Sequence, residues 1–256
     1  MNWKSIKDQA IEFLKIEVST IGSKKVVVGI SGGLDSAVVA VLCAEALGSK
    51  NVIGVLMPSH MSSHSSEADA IELCKKFNIP YEIVEIAPMV KGYFDNNDKE
   101  ADPLRIGNLS ARMRMSVLYD ISARESALVV GTSNKSEILL GYGTIYGDTA
   151  CAINPIGKMY KSDEFEFAKF LGVTNAIINK PPSADLWDGQ SDEEELGYSY
   201  QAMDDVLKQI VDNNITKAKL VANGVNEELI DMLLYRIKAN AFKGKLPIIA
   251  NINFNN

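Results

Sequence analysis

Residues 25–36 read KVVVGISGGLDS, and this stretch decides the architecture. Residues 25–30 form a run too short and too β-branched for a buried helix, which predicts a central parallel strand covered on both faces. Two glycines follow at once, and residues 37–47 (AVVAVLCAEAL) are strongly helical. A strand that passes through a glycine turn into a helix near Ser36 presents free backbone N–H groups at the positive end of that helix, a natural cradle for phosphate. Gly32 and Gly33 allow the backbone to turn sharply and approach an anion without a Cβ in the way. Ser31 and Ser36 add hydroxyl groups.

The alternation continues outward from this centre. Trp3, Ile6, Ala10, Phe13, Leu14 and Val18 recur at helical spacing, predicting an amphipathic helix over residues 3–20. Residues 52–57 (VIGVLM) read as a strand, 65–77 as a helix, 81–86 (YEIVEI) as a strand, 106–125 as a helix and 127–130 (ALVV) as a fourth strand. Such alternation predicts an α/β fold of three αβα layers around a central parallel sheet, Rossmann-like. Beyond Gly131 the character changes. Residues 141–152 (GYGTIYGDTACA) and 180–195 (KPPSADLWDGQSDEEE) read as working loops rather than connectors. Residues 196–242 return to helical periodicity with at least two helices, and residues 1–256 are expected to form one domain.

Composition narrows the function classes. The 26 Lys and Arg against 33 Asp and Glu leave a net charge of −7, which argues against a long nucleic-acid surface while permitting a local basic pocket for phosphates. Cys43, Cys74 and Cys151 are widely spaced with no CxxC pair, the usage of a reducing compartment. With no signal-peptide layout at the start and no apolar run of about 18 residues, a cytoplasmic location is expected. His60 and His64 stand four apart with no third ligand in sight, so they read as surface or structural residues and not as a metal site.

The glycine loop is not a Walker A sequence: it has no lysine, and Asp35 stands just before the last serine. A carboxylate beside phosphates repels them unless it holds a Mg²⁺ that bridges their oxygens; the simpler alternative is that Asp35 and Ser36 only cap the helix. SGGLDS resembles the loop of the ATP pyrophosphatases, which implies ATP cleavage between the α and β phosphates and an adenylate intermediate. Several activities share that loop. Five later segments choose among them: residues 107–115 (GNLSARMRM), 131–137 (GTSNKSE), 146–148 (YGD), 155–161 (PIGKMYK) and 182–196 (PSADLWDGQSDEEEL). In order and spacing they resemble the NAD synthetase family, over about residues 25 to 245.

That resemblance implies an enzyme that joins ammonia to the nicotinate carboxylate of deamido-NAD, with ATP as co-substrate and Mg²⁺ as cofactor. It assigns Gly29, Ile30, Ser31, Gly32, Gly33, Leu34, Asp35 and Ser36 to the ATP phosphates, Thr132, Lys161 and Ser183 to ATP, Arg112 to deamido-NAD, and Asp35 with Glu137 to the metal. Asp35, Lys161 and Asp148 are the candidate catalytic residues, Asp148 at the amide-forming centre. Glutamine-using relatives carry an added amidase domain for which this chain has no room, so free ammonia is the expected donor. A homodimer with deamido-NAD lying partly across the subunit interface is also implied. The chain departs from the family pattern at Ile145 and Ala152, where a lysine and an aspartate are common, and at Phe242-Lys243, where a His-Lys pair is common. Two rivals stay open: a tRNA-modifying ATP pyrophosphatase, disfavoured by the charge and the missing cysteine pair, and a nucleotide sensor that shares the fold without turnover.

Overall fold

The structure is a computed structural model, and it describes residues 1–60, 64–183, 191–245 and 249–252. Four strands, β1 (Lys25–Gly29), β2 (Val52–Leu56), β3 (Tyr81–Ile83) and β4 (Ala127–Val129), form a sheet in the order β3-β2-β1-β4. Every pairing is parallel, with Val26 opposite Val52 and Leu128, and Leu56 opposite Ile83. A parallel bridge from Val130 to Ile153 extends the sheet beyond β4. The first helices are α1 (Trp3–Thr20), α2 (Leu34–Leu47), α3 (His64–Lys76), α4 (Ala87–Asn97) and α5 (Pro103–Glu125). After β4 come α6 (Lys135–Leu140), α7 (Lys161–Leu171), α8 (Asn175–Ile178), α9 (Asp192–Leu196), α10 (Tyr200–Leu207), α11 (Lys217–Ala222) and α12 (Glu227–Asn240). This is the three-layer α/β arrangement that the alternation predicts.

The period-two geometry of β1 explains its three consecutive valines. Val26 and Val28 pack with Leu14 of α1 and Val38 and Leu42 of α2, while Val27 packs on the other face with Val129 and Ile121 of α5. All three valines are fully buried. Helix α2 lies between the sheet and both α1 and α7, which is why Val38, Val39, Val41 and Leu42 are apolar around its whole circumference. Cys43 and Cys74 are buried core residues. A second core, built around Tyr200, Met203, Leu207, Ile230 and Leu233, holds the C-terminal helices against α6 through Leu140.

Several boundaries differ from the sequence expectation. Helix α2 begins at Leu34, with Gly33 as its N-cap, so Asp35 sits inside the first helical turn. The strand over residues 81–86 stops at Ile83, although the Val84 and Ile86 amides still donate to Leu56 and Pro58. Helix α4 has no counterpart in the sequence reading: Gly92 and its Asn-rich end weaken the helical signal, while Pro88 fits the first turn where its missing N–H is not needed. Helix α5 starts three residues early because Asp102 caps it, its carboxylate accepting from the Arg105 amide at 2.9 Å.

Gly32 adopts φ +82°, and a Cβ there would stand 2.1 Å from the Ser66 carbonyl oxygen on α3. The loop is therefore pressed directly against a neighbouring backbone that cannot yield. We expect Gly32→Ala to lower the unfolding free energy by about 2–5 kcal/mol, combining the left-handed-region cost with overpacking. A chemical-denaturation midpoint unchanged from the parent would show that the loop does not need this close approach.

Candidate active site

Strand β1 ends against Ile30, whose amide donates to Val55 O, and the chain turns through Ser31, Gly32 and Gly33 into α2. The turn is braced internally. The Ser31 amide donates to Ser36 Oγ at 3.1 Å, the Gly33 amide to Ser31 Oγ at 3.2 Å, and Ser36 Oγ donates to Gly33 O at 3.1 Å. Ser36 is buried and Ser31 exposed, so the outer hydroxyl and the first-turn amides of α2 face the space beyond the sheet. That space is a cavity of about 920 Å³ at the carboxyl ends of the strands, where open α/β sheets bind their ligands.

Asp35 on α2 is the hub of the cavity floor. One carboxylate oxygen accepts from Asn134 Nδ2 at 2.7 Å, and the other pairs with Lys161 Nζ from α7. Burial alone would raise the Asp35 pKa, but the Lys161 charge and the bonds from Glu164, Lys161 and Asn134 outweigh it and hold the carboxyl below its usual range. Lys161 is only 3% exposed; burial works against its charge, and the facing Asp35, Glu164 and Glu137 more than restore it, so its pKa is raised. Glu137 enters from α6, placed by a reciprocal capping box. The Glu137 amide donates to Asn134 Oδ1 at 3.0 Å and the Asn134 amide to Glu137 Oε2 at 3.2 Å. Burial and then the nearby Asp35 charge push the Glu137 carboxyl well above its ordinary value. One site thus gathers Asp35, Asn134, Glu137 and Lys161 from three separate helix starts.

Thr132 and Ser183 line the same cavity, as do Gly29, Ile30, Ser31, Gly33 and Leu34 of the loop. Gly32 does not: its backbone turns away toward Ser66. At the far end Asp148 faces the cavity, one oxygen accepting from the Thr144 amide at 2.8 Å. Lys243 closes that end, its ammonium donating to Gly141 O at 2.8 Å and Gly143 O at 3.0 Å. The departures from the family pattern fall outside this frame, since Ala152 is exposed and pairs through its amide with Val129 O, and Phe242 is 51% exposed. Arg112 is not among the cavity-lining residues; its Nε donates to Ile145 O at 3.3 Å, bracing the 141–152 loop from α5. Arg114 does line the cavity, with Nε donating to Met57 O at 3.0 Å. Of the 180–195 loop, residues 184–190 lie outside the described residues. Among the others, Asp192 is buried and accepts from the hydroxyls of Tyr142 and Tyr200 at 3.0 and 3.2 Å.

Three residues near the floor escape a motif reading. Asn134 carries a local signal, an Asn three residues ahead of a Glu at a helix start. Glu164 is fully buried, shares a side-chain hydrogen bond with Asp35 and stands with Oε2 3.6 Å from Lys161 Nζ, and burial followed by the Asp35 charge raises its pKa well above the ordinary value. Lys180 reaches the loop from behind, 3.4 Å from Gly32 O and paired with Asp69 at 2.6 Å. Glu164 stands in no sequence pattern that marks it, and Lys180 opens the 180–195 segment with no role assigned to it there.

A phosphate-type loop at a switch from strand to helix, faced by a lysine and two carboxylates, defines a nucleotide-binding α/β protein of the adenine nucleotide alpha hydrolase-like class. Residues 6–247 match the family model described as NAD synthase. The chain is 52% identical to an NH(3)-dependent NAD(+) synthetase of Wolinella succinogenes, over 98% of this chain and 97% of that one. Among solved structures it is similar to the NH3-dependent NAD synthetase from Campylobacter jejuni in complex with a nitrate ion, at 41% identity and TM-score 0.84 over 98% of this chain and 100% of that one. It is also similar to an NMN synthetase from Francisella tularensis, at 30% identity and TM-score 0.88 with the same coverage. The chain belongs to the NAD synthase family.

The raised Glu137 pKa has a consequence for stability. A carboxyl whose folded pKa lies above its unfolded value near 4.5 favours the fold fully below that unfolded value, and the contribution is lost as pH rises through the folded pKa. Ligand-free Glu137→Gln, which keeps the acceptor for the Asn134 amide and removes the like charge beside Asp35, should therefore lose less stability than the parent over the range of pH that rises from 4.5 through neutrality. Thermal midpoints taken across that range are the check, and parallel curves for the two proteins would contradict the close approach of the carboxylates.

Proposed function

We propose that this chain amidates deamido-NAD to NAD with free ammonia, cleaving ATP to AMP and pyrophosphate through a nicotinyl adenylate. The observation that carries the reading is the phosphate loop joined to the Asp35–Lys161 pair and Glu137 at one end of a cavity that runs on to Asp148 and Lys243. Full-length relatives named NH(3)-dependent NAD(+) synthetase support ammonia as donor and the dinucleotide as substrate. In this reading the nicotinate oxygen attacks the α phosphorus, pyrophosphate leaves, and ammonia then attacks the acyl carbon as AMP departs with the oxygen. The loop residues with Thr132, Lys161 and Ser183 bind ATP, Arg112 serves deamido-NAD, and Asp148 stands at the amide-forming end.

Asp35 and Glu137 suit a hard divalent cation. Both are oxygen donors on the cavity, they come from different elements, and their mutual repulsion raises Glu137 in a way that a shared cation relieves. They would hold Mg²⁺ there, and when bound it supplies charge neutralisation for the phosphates. Lys161 does the same from the protein side. Residues 1–256 act as one domain in this scheme, supported by α6 sharing a core with the C-terminal helices and by α7 packing on both α2 and α10. Exposed Met89, Tyr93, Leu104 and Tyr119 on α4 and α5 support a homodimer, and Leu104 also lines the cavity. Three unpaired cysteines, and no helix among the described residues long and apolar enough to cross a membrane, fit a cytoplasmic protein.

Purified protein given ATP, Mg²⁺ and deamido-NAD should form NAD with ammonium salts, faster as pH rises and NH₃ increases, and not with ammonia-free glutamine. Asp35→Asn should stay folded and lose about 10²–10³-fold in turnover. Deamidated mononucleotide should be the poorer substrate, and a preference for it would move the chain to the chemistry named for the Francisella relative.

Arg112→Lys should weaken deamido-NAD binding by about 1.5–3 kcal/mol and ATP binding much less, since a guanidinium forms a fork that lysine cannot copy. Calorimetric titration with each ligand separately decides. No loss for either would pass the role to Arg114, which already faces the cavity.

A further inference from the structure

Helix α7 carries Lys161 at its first position, yet its N-cap residue Tyr160 supplies no side-chain cap. The cap comes from another helix. Asp204 on α10, fully buried, accepts the Ser162 amide at 2.8 Å through one oxygen and the Ser136 hydroxyl at 2.5 Å through the other. Ser136 Oγ in turn accepts the Lys161 amide at 3.0 Å. Ser136 is the neighbour of Glu137 on α6, and Asn134, which caps α6, is the residue that donates to Asp35. The bonds close a ring: Asp35 to Asn134, along the capping box to Glu137 and Ser136, across Asp204 to the start of α7, and through the Lys161 side chain back to Asp35.

We propose that Asp204 is a positioning residue for the ATP end of the site: from outside the cavity it fixes the first turns of α6 and α7 in register, and so sets the spacing of Glu137 and Lys161 about Asp35. The proposal rests on the site reading given above. Two features favour this over a merely structural bond. Asp204 is a fully buried carboxylate and joins the two elements that bring charge to the floor, and misplacement of such groups by a fraction of an ångström is costly. The π-helical segment Lys208–Asp212 that continues α10 is also tied at the surface, where Asp212 accepts from Lys135 and from Tyr160 at 3.0 Å, so holding α10 in place does not by itself require a buried acid at position 204.

The test compares Asp204→Ala, Asp204→Asn and Ser136→Ala in the full chain, reading the KM for ATP, the KM for deamido-NAD, the Mg²⁺ concentration for half-maximal rate, and ATP affinity by calorimetry without turnover. Asp204→Ala should raise the ATP KM and the Mg²⁺ requirement by about 10- to 100-fold, the range for partners that orient a charged site, with deamido-NAD largely unaffected. Calorimetry should move in parallel with the ATP KM. Asp204→Asn should recover most of the loss, because its carbonyl oxygen still accepts the Ser162 amide. Ser136→Ala should shift the same parameters by less, and it carries the test if Asp204→Ala does not fold. Folded variants with unchanged ATP and Mg²⁺ parameters, equal losses for both substrates, or an Asn variant no better than Ala would each overturn the assignment. Asp35→Asn measured alongside separates the two readings: if it too leaves turnover unchanged the site reading fails, whereas an inactive Asp35→Asn beside a normal Asp204→Ala removes Asp204 alone.

Discussion

The pairing of Asp35 with Lys161 is the contact on which the rest of the site depends. Asp35 belongs to the first turn of the helix that follows the central strand, and Lys161 is 126 positions further along the chain at the start of another helix. Each is costly to bury alone, because an ionised group in a poorly solvated interior needs a partner. Together they are stable, and Asn134 satisfies the remaining oxygen of the aspartate. The pair thus fixes where the second half of the chain meets the phosphate loop, and places a positive charge within reach of anions bound there.

A site for polyphosphates that is floored by acids is at first sight a contradiction. With a net charge of −7 the chain offers no general attraction for nucleotides, so binding must come from local groups. The first-turn amides of α2, the buried Lys161 and the Lys180 strap supply positive potential on one side. Glu137, held near Asp35 by a capping box, adds a carboxylate where another negative group is unwelcome. Burial and the nearby Asp35 charge hold that carboxyl well above its ordinary pKa, so a proton or a cation there is favoured. This is the physical reason the proposed divalent ion suits the floor.

The sequence made the sheet and the loop legible because both rest on short-range rules. Three valines before a glycine turn require burial on both faces, and the structure buries all three. The floor was legible only as a list of separate motifs, since Asp35, Glu137 and Lys161 come together through tertiary packing that no local pattern records. Glu164 and Asp204 escaped for a related reason. An acid within a helical stretch reads as a surface charge, and both are fully buried here because the helices beside them leave no path to water. Arg112 shows the opposite case: its motif stands out in the sequence, while its Nε is turned to Ile145 O on the flank of the loop.

The two ends of the cavity are built on different physical footings, and this bears on how the protein divides its work. The proposed ATP end stands on helix starts and sheet termini, rigid elements whose capping bonds close into a ring. The other end stands on residues 141–148, a loop shaped by the internal bond from the Thr144 amide to Asp148 and held from outside by Lys243 and Arg112. Gly141 ends α6 as a left-handed cap with φ +62°, and a Cβ there would stand 2.1 Å from the Asn240 Cβ, so α12 presses on that loop as α3 presses on the phosphate loop. A rigid end suits reacting phosphates, where small displacements are expensive. A loop-built end suits the entry of a second substrate, and of ammonia after it, into a space that must then exclude water from a hydrolysable adenylate. The departures from the family pattern at Ile145, Ala152 and Phe242 stand beside this end without lining the cavity, while Lys243 of the Phe242-Lys243 pair holds the backbone carbonyls of Gly141 and Gly143.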